Sequence, residues 1–340
     1  MDAVDALNEI AFRLERELAP SFKVKAFRNA ASAISGIAAE DLAARARDGR
    51  LKRLPGIGNT TFEVIRQAID GAVPDYLQDL RERGEEPLAE GGHELHSLLR
   101  GDLHSHTDWS DGGSPLEAMA QAAGLLRREY LAVTDHSPNL KVANGLSAER
   151  LGQQIAAVDS YNEAAGGALR LLAGIEVDIL EDGRLDQDPE LLSQLDVVVA
   201  SVHSKLRSEG TVMTRRMLRA IEDPNTDVLG HCTGRLVTGS RGTRPESEFD
   251  AGRVFAACAE NQVAVEINSR PERQDPPDDL LRRAVDAGCR FSIDSDAHAP
   301  GQLDFLHYGA ARAEANGVPA ERIVTTWPLE RLLEWSGRRR

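Results

Sequence analysis

At 340 residues, with 41% hydrophobic and 4% aromatic side chains, the chain is long enough for one large core and a smaller second one. Its net charge of −15 is uneven: residues 1–83 carry 13 Lys/Arg against 13 Asp/Glu, so the whole deficit falls on 84–340 and argues against a general nucleic-acid-binding surface there. No apolar run reaches membrane-spanning length, the acidic, helix-patterned start is unlike a secretory signal, and Cys232, Cys258 and Cys289 are too scattered for a disulfide frame, so a cytoplasmic protein with no membrane partner is expected.

In chain order, residues 4–83 read as all-helical. The stretch 6–18 repeats apolar positions at helical spacing (Leu7, Ile10, Ala11, Leu14, Leu18) and stops before Pro20. A second helix over 24–34 follows with Phe27, Ala30, Ala31 and Ile34, then a third over 38–46 and a fourth over 61–70. Ahead of the fourth lies Leu54-Pro55-Gly56-Ile57-Gly58, a hairpin whose glycines permit a tight turn and let backbone N–H groups at a helix start face an anion. Residues 84–100, polar and glycine-containing, read as a linker.

From Asp102 a strand–loop–helix unit recurs. Apolar or β-branched runs at 102–106, 130–135, 170–178, 196–203, 226–231, 262–268 and 290–295 alternate with helical segments at 115–127, 149–163, 211–221, 250–261 and 278–287. Seven such units predict an α/β fold, a parallel seven-stranded barrel whose chemistry gathers at the C-terminal strand ends. Six of the nine histidines fall there, in His104-Ser105-His106, Thr134-Asp135-His136, Ser201-Val202-His203, Gly230-His231 and Asp296-Ala297-His298. Two groups at i, i+2 on a strand point to one face and can grip one ion. Glu176 is a carboxylate in an apolar strand, where it is costly unless paired. Six imidazoles and three carboxylates so placed predict a multinuclear hydrolytic metal site.

These signatures, with Ser110-Asp111-Gly112, Ala143-Asn144-Gly145-Leu146 and Cys232-Thr233-Gly234-Arg235, resemble a PHP (polymerase and histidinol phosphatase) domain over 100–336. The nearest likeness is to the PHP module of bacterial X-family DNA polymerases. The resemblance implies a distorted TIM-like (β/α)7 barrel over 101–340 and up to three divalent ions; mixed N/O ligation suits Zn2+, Mn2+ or Fe2+. Carried over by position, His104, His106, Glu176 and Asp296 hold one ion, and Glu176, His203 and His231 a second. Asp111, His136 and His298 hold a third, Asp111 standing where many members have His. A metal-bridging hydroxide is then the expected nucleophile toward phosphorus, with Lys205, Arg207 and Arg235 orienting the substrate phosphate and Lys141 as a further cation. Asp135 is expected to hold a ligand imidazole by a hydrogen bond.

The hairpin, together with Phe22-Lys23-Val24-Lys25-Ala26-Phe27-Arg28-Asn29, resembles the helix-hairpin-helix domain with which the same polymerases bind DNA ends, over 1–83. This implies backbone contacts at Gly56 and Gly58 and phosphate contacts from Lys23, Lys25, Arg28, Lys52 and Arg53. There are two departures. Residues 60–66 offer no lysine where lyase-active members carry one, and 84–100 leaves no room for a nucleotidyltransferase core, so neither lyase nor polymerase activity is expected. The expected function is a metal-dependent phosphoesterase at DNA ends or gaps, a 3′→5′ exonuclease or 3′-phosphatase. A small-molecule phosphomonoesterase such as a histidinol-phosphatase is the alternative, and a non-catalytic DNA-binding scaffold a third reading.

Overall fold

The computed structural model describes residues 1–340 except 85, 168, 240, 241 and 340, in two compact units, Met1–Pro87 and Leu88–Arg340. Glu85, in the stretch expected to be a linker, lies outside the described residues.

Among its described residues the first unit holds five α-helices: α1 (Ala3–Arg16), α2 (Ser21–Ile34), α3 (Ala39–Arg47), α4 (Asn59–Ile69) and α5 (Asp75–Arg83). Asp2 starts α1 by accepting the N–H groups of Val4 at 2.8 Å and Asp5 at 3.0 Å, a cap that contributes about 1 kcal/mol. The helical spacing of Leu7, Ile10 and Leu14 puts them on one face, in one core with Phe27, Ala30 and Ile34 of α2 and Val64 and Ile65 of α4.

In the second unit seven parallel strands follow one another in sequence order: β1 (Gly101–Asp102), β2 (Tyr130–Val133), β3 (Arg170–Asp178), β4 (Val197–Ser201), β5 (Val228–Leu229), β6 (Ala264–Asn268) and β7 (Arg290–Asp294). Around them run α6 (His93–Leu98), α7 (Leu116–Leu125), α8 (Ala148–Ala164), α9 (Pro189–Leu192), α10 (Gly210–Glu222), α11 (Ala251–Asn261), α12 (Asp278–Asp286), α13 (Leu306–Ala315) and α14 (Leu329–Ser336). The barrel is nearly closed. At the β7–β1 seam Ser105 bridges Ala297, and buried carboxylates stand in for ladder carbonyls: Asp294 accepts Leu103 N–H at 2.9 Å and Asp102 accepts Ser295 N–H at 3.2 Å. This substitution explains why β1 is shorter than the run 102–106. At β5 the buried carboxylate of Glu266 likewise takes the N–H of His231, so the ladder ends before the run 226–231 does.

Two-residue periodicity gives each barrel strand one inward face. Toward their N-terminal ends Tyr130, Ala132, Leu172, Val197, Val199, Val228 and Ala264 form an apolar core with Val324, Trp327, Leu332 and Trp335. The Tyr130 hydroxyl finds its partner there, donating to Trp327 O at 3.0 Å. Farther along the same faces stand His136, Glu176, His203 and Glu266. Apolar packing therefore fixes the floor of the barrel and leaves its C-terminal mouth to ligating groups.

The expected linker is partly folded. Gly92 turns the chain at φ +71° with its N–H on the Glu314 carboxylate at 2.7 Å, and a β-carbon there would meet Ala311 N at 2.3 Å. This contact, with buried Leu95, seats α6 on α13. One buried leucine in six helical residues is too weak a pattern to read as a helix in advance. Among the described residues, no helix is long and apolar enough to cross a membrane.

Candidate metal centre

Glu176, 1% exposed at the C-terminal end of β3, is the hub of the barrel mouth. Its Oε2 lies 3.3 Å from His104 Nε2, 3.6 Å from His106 Nε2 and 2.9 Å from His136 Nδ1; its Oε1 lies 3.2 Å from His203 Nε2 and 2.9 Å from His231 Nε2. Asp296 Oδ1 stands 3.5 Å from His106 Nε2, and Asp111 Oδ1 stands 3.4 Å from both His136 Nε2 and His298 Nε2. All nine side chains expected as ligands thus meet in one contiguous cluster.

Two atoms each about 2.1 Å from one tetrahedral ion stand roughly 3.4 Å apart. Five of the eight spans, at 3.3–3.6 Å, lie close to that value and beyond the usual length of a hydrogen bond, while the other three are 2.9–3.2 Å. Hydrogen-bond angles are missed as well. Ring nitrogens of His104, His106, His136, His203 and His231, and Glu176 Oε1, are buried without a hydrogen-bond partner. Each orphan of this kind costs on the order of 1–3 kcal/mol, a cost a shared cation removes. The donor set therefore fits divalent metal. Three overlapping groups have ligand atoms within 4.8 Å of one another: His104, His106 and Asp296; His136, Glu176 and His203; and His106, Asp111, His136 and His298. His106 and His136 each join two groups, an overlap that carry-over by position does not give.

The electrostatics follow the same centre. Burial opposes ionisation of Glu176, yet the imidazoles of His203, His104 and His136 hold its carboxyl well below the usual range. Burial likewise opposes a proton on His136, but Glu176 and Asp111 raise its pKa to about 10. His106, buried and flanked by the cationic forms of His298 and His136, is pushed well below its ordinary value.

In the first unit the hairpin is built as its glycines predict. Gly56 adopts φ +88°, with its missing β-carbon 3.3 Å from Asn29 O, so only glycine lets the turn lie against α2. Gly58 caps α4, its N–H on Thr61 Oγ1 at 2.9 Å, while Asn59 and Thr60 stay exposed. Lys23, Lys25, Lys52 and Arg53 are exposed, with Lys52 Nζ 4.5 Å over the Phe62 ring. Arg28 is not available in the same way: it pairs with buried Glu15 at 2.9 Å and donates to Asn8 at 3.2 Å.

Residues 102–270 match the PHP domain family. The chain carries a PHP domain. Residues 1–72 of this PHP protein match a helix-hairpin-helix domain. DNA polymerase/3′-5′ exonuclease PolX of Bacillus subtilis is 36% identical over 232 residues, 68% of this chain, and the chain spans 40% of that relative's length. Probable phosphatase PBPRB2022 of Photobacterium profundum is 27% identical over 242 residues, covering 66% of this chain and 88% of the relative. Among solved structures, histidinol phosphate phosphatase from Lactococcus lactis, complexed with zinc, L-histidinol and phosphate, superposes with a TM-score of 0.45 at 18% identity, over 64% of this chain and 94% of that one.

Around the PHP cluster several expected roles change. Among the described residues Asp135 has no hydrogen bond to an imidazole; it accepts Thr107 N–H at 2.8 Å and Gln154 Nε2 at 2.6 Å, and so pins the loop 107–112 that carries Asp111. Arg235 spends its donors on Gln274 O at 3.0 Å, Arg273 O at 3.1 Å and the Glu246 carboxylate at 3.2 Å, bracing the loop after β5 instead of offering itself to a phosphate. Lys205, Arg207 and Lys141 are exposed on loops that follow ligand histidines.

Sequence reading also missed contacts. Asp178 accepts His203 N–H at 3.1 Å, and it repeats the i, i+2 spacing from Glu176 that gave its signal away. Buried Arg273 donates Nε to Asp296 Oδ2 at 2.9 Å from a loop without a readable pattern. Glu266 and Asn268 were a second polar pair inside an apolar strand.

Proposed function

We propose that this protein hydrolyses phosphate esters at DNA ends, as a 3′→5′ exonuclease or 3′-phosphatase, with the first unit holding the DNA. The observation that carries the hydrolytic half is the convergence of five imidazoles on the one buried carboxylate of Glu176. His104, His106, Glu176 and Asp296 would hold one cation, Glu176, His203 and His231 a second, and Asp111, His136 and His298 a third, with Zn2+, Mn2+ or Fe2+ suited to these donors. Bound there, such cations supply an activated water and offset charge on the phosphoryl oxygens.

The protein's own groups do the rest. Asp178 and Arg273 fix the His203 backbone and the Asp296 carboxylate, so that donor atoms are in place before a ligand arrives. Lys205 and Arg207, on the exposed rim, are placed to attract a substrate phosphate. The DNA half is supported by the hairpin: Gly58 opens α4 toward solvent beside Lys52 and Arg53, the arrangement that offers backbone N–H groups and cations to one phosphate strand. PolX, named as an exonuclease, shares the PHP region.

A second reading is a small-ester phosphatase, favoured by the −15 charge that residues 84–340 carry against a polyanionic substrate. The two separate in one assay with added Mn2+, on 3′-labelled single-stranded and gapped DNA and in parallel on histidinol phosphate and p-nitrophenyl phosphate. Nucleotide or 3′-phosphate release that disappears in His104→Ala supports the DNA reading. Turnover confined to the small esters overturns it.

A further inference from the structure

β6 supplies none of the nine expected ligands, yet its inward-facing pair touches three of the strands that do. Glu266 is fully buried. Its Oε1 lies 2.5 Å from His104 Nδ1, and its Oε2 accepts the backbone N–H of His231 at 2.5 Å. Asn268, two residues on and on the same face, gives one amide N–H to Glu266 Oε2 at 3.2 Å and the other to Asp296 Oδ2 at 3.1 Å.

The chemistry of that contact is constrained. Glu266 Oε1 takes up Nδ1 of the His104 ring, the nitrogen turned away from Glu176. His104 Nε2 is then left facing Glu176, the orientation a metal ligand needs. The second oxygen of the same carboxylate fixes the backbone from which the His231 ring projects toward the other Glu176 oxygen. One side chain therefore sets a ligand of each of the two sites that share Glu176.

We infer that Glu266 is a positioning residue that couples these two metal sites, so that they load as a unit. The inference rests on the metal-dependent reading above. Glu266 is not among the nine expected ligands; it acts through His104 and His231. A carboxylate kept only to stabilise the barrel would leave metal binding unchanged when replaced by its neutral isostere in a folded protein.

The test titrates the full-length, metal-stripped protein with Mn2+ by calorimetry and with Co2+ by its visible absorption, comparing wild type with Glu266→Gln. Glutamine keeps the size but has one acceptor oxygen where the carboxylate has two, so it cannot face both His104 Nδ1 and His231 N–H as Glu266 does. Affinity is expected to fall about 10- to 100-fold at two sites together, with the Co2+ spectrum altered, while the equivalent lost in Asp111→Ala persists. Activity on p-nitrophenyl phosphate should lose kcat with KM nearly unchanged, and recover at high Mn2+. Wild-type affinity at both sites, or loss at one only, overturns the coupling. Wild type that binds no cation overturns the metal reading itself, and with it this inference. Should Glu266→Gln not fold, as judged by circular dichroism, Asn268→Ala is expected to weaken the same two sites by a smaller factor; unchanged affinity there overturns the proposal.

Discussion

Gly145 faces the carbonyl oxygen of Ser137 so closely that a β-carbon on it would lie 1.9 Å away. The loop between them is a clamp on His136, whose carbonyl accepts Leu146 N–H at 2.7 Å, while Ser137 N–H reaches Glu176 O at 3.1 Å. Asn144, at φ +56°, donates to Trp109 O at 3.1 Å and ties the clamp to the loop that bears Asp111. Gly145→Ala must therefore move His136. A cost of about 1–3 kcal/mol is expected, as for other overpacked sites, together with reduced bound metal. Thermal unfolding and metal analysis check this; a variant that matches wild type in both contradicts the clamp.

Asp111 differs from the other carboxylates in exposure, 36% for its side chain against 1% for Glu176 and 2% for Asp296. Asp111→Ala is expected to remove one metal equivalent, the weakest, and leave the rest. Elemental analysis after dialysis reads the count, and loss of every equivalent contradicts the assignment.

Two kinds of cation in the first unit should behave oppositely. Arg28 pairs with Glu15, whose side chain is 4% exposed, so Arg28→Ala takes a charged hydrogen-bond partner from a buried carboxylate and is expected to cost about 1–3 kcal/mol, with DNA affinity of the folded protein little changed. Lys52→Glu with Arg53→Glu should leave stability within about 0.5 kcal/mol and weaken DNA binding, lowering the salt slope by roughly one per lost phosphate contact. The pairing of thermal melts with salt-dependent DNA titrations separates them. An Arg28 variant that melts normally but loses DNA would restore the contact expected from sequence.

Glu9 gives the first unit a pH dependence. Burial raises its pKa, but bonds to Arg81 at 2.6 Å and Arg13 at 2.9 Å outweigh it, holding the carboxyl below its ordinary value of 4.5. A depressed folded-state pKa contributes stability that is present above 4.5 and lost as pH falls through the lower folded value. Glu9→Gln should flatten the fall in melting temperature of this unit as pH drops through 4.5 and below. An unchanged acid slope would show that Glu9 does not carry it.

The barrel and its ligands were legible because both signals are local: an apolar or β-branched run marks each strand, and every ligand but Asp111 lies within its run or within three residues of its end. What sequence hid depends on partners far along the chain. Arg28 has the composition of a phosphate contact, and only the fold brings Glu15 to it. Arg235 lies in a matched motif, yet its carbonyl partners come from the loop after β6. β1 and β5 are short because the carboxylates of Asp294 and Glu266 replace ladder acceptors, which no run of apolar residues announces. Glu266 itself carries the signal that exposed Glu176, a carboxylate inside an apolar strand, and neither has a histidine beside it in sequence; only the fold brings His104 and His231 to Glu266.

The central claim is that Glu176 organises a shared metal centre. Its most direct test is Glu176→Ala, assayed for bound metal by elemental analysis and for p-nitrophenyl phosphate turnover on the same sample. Loss of at least two metal equivalents, with activity down by about a thousandfold or more in a protein that still shows wild-type circular dichroism, is the predicted result. A folded variant that keeps its metal and its turnover would contradict the account.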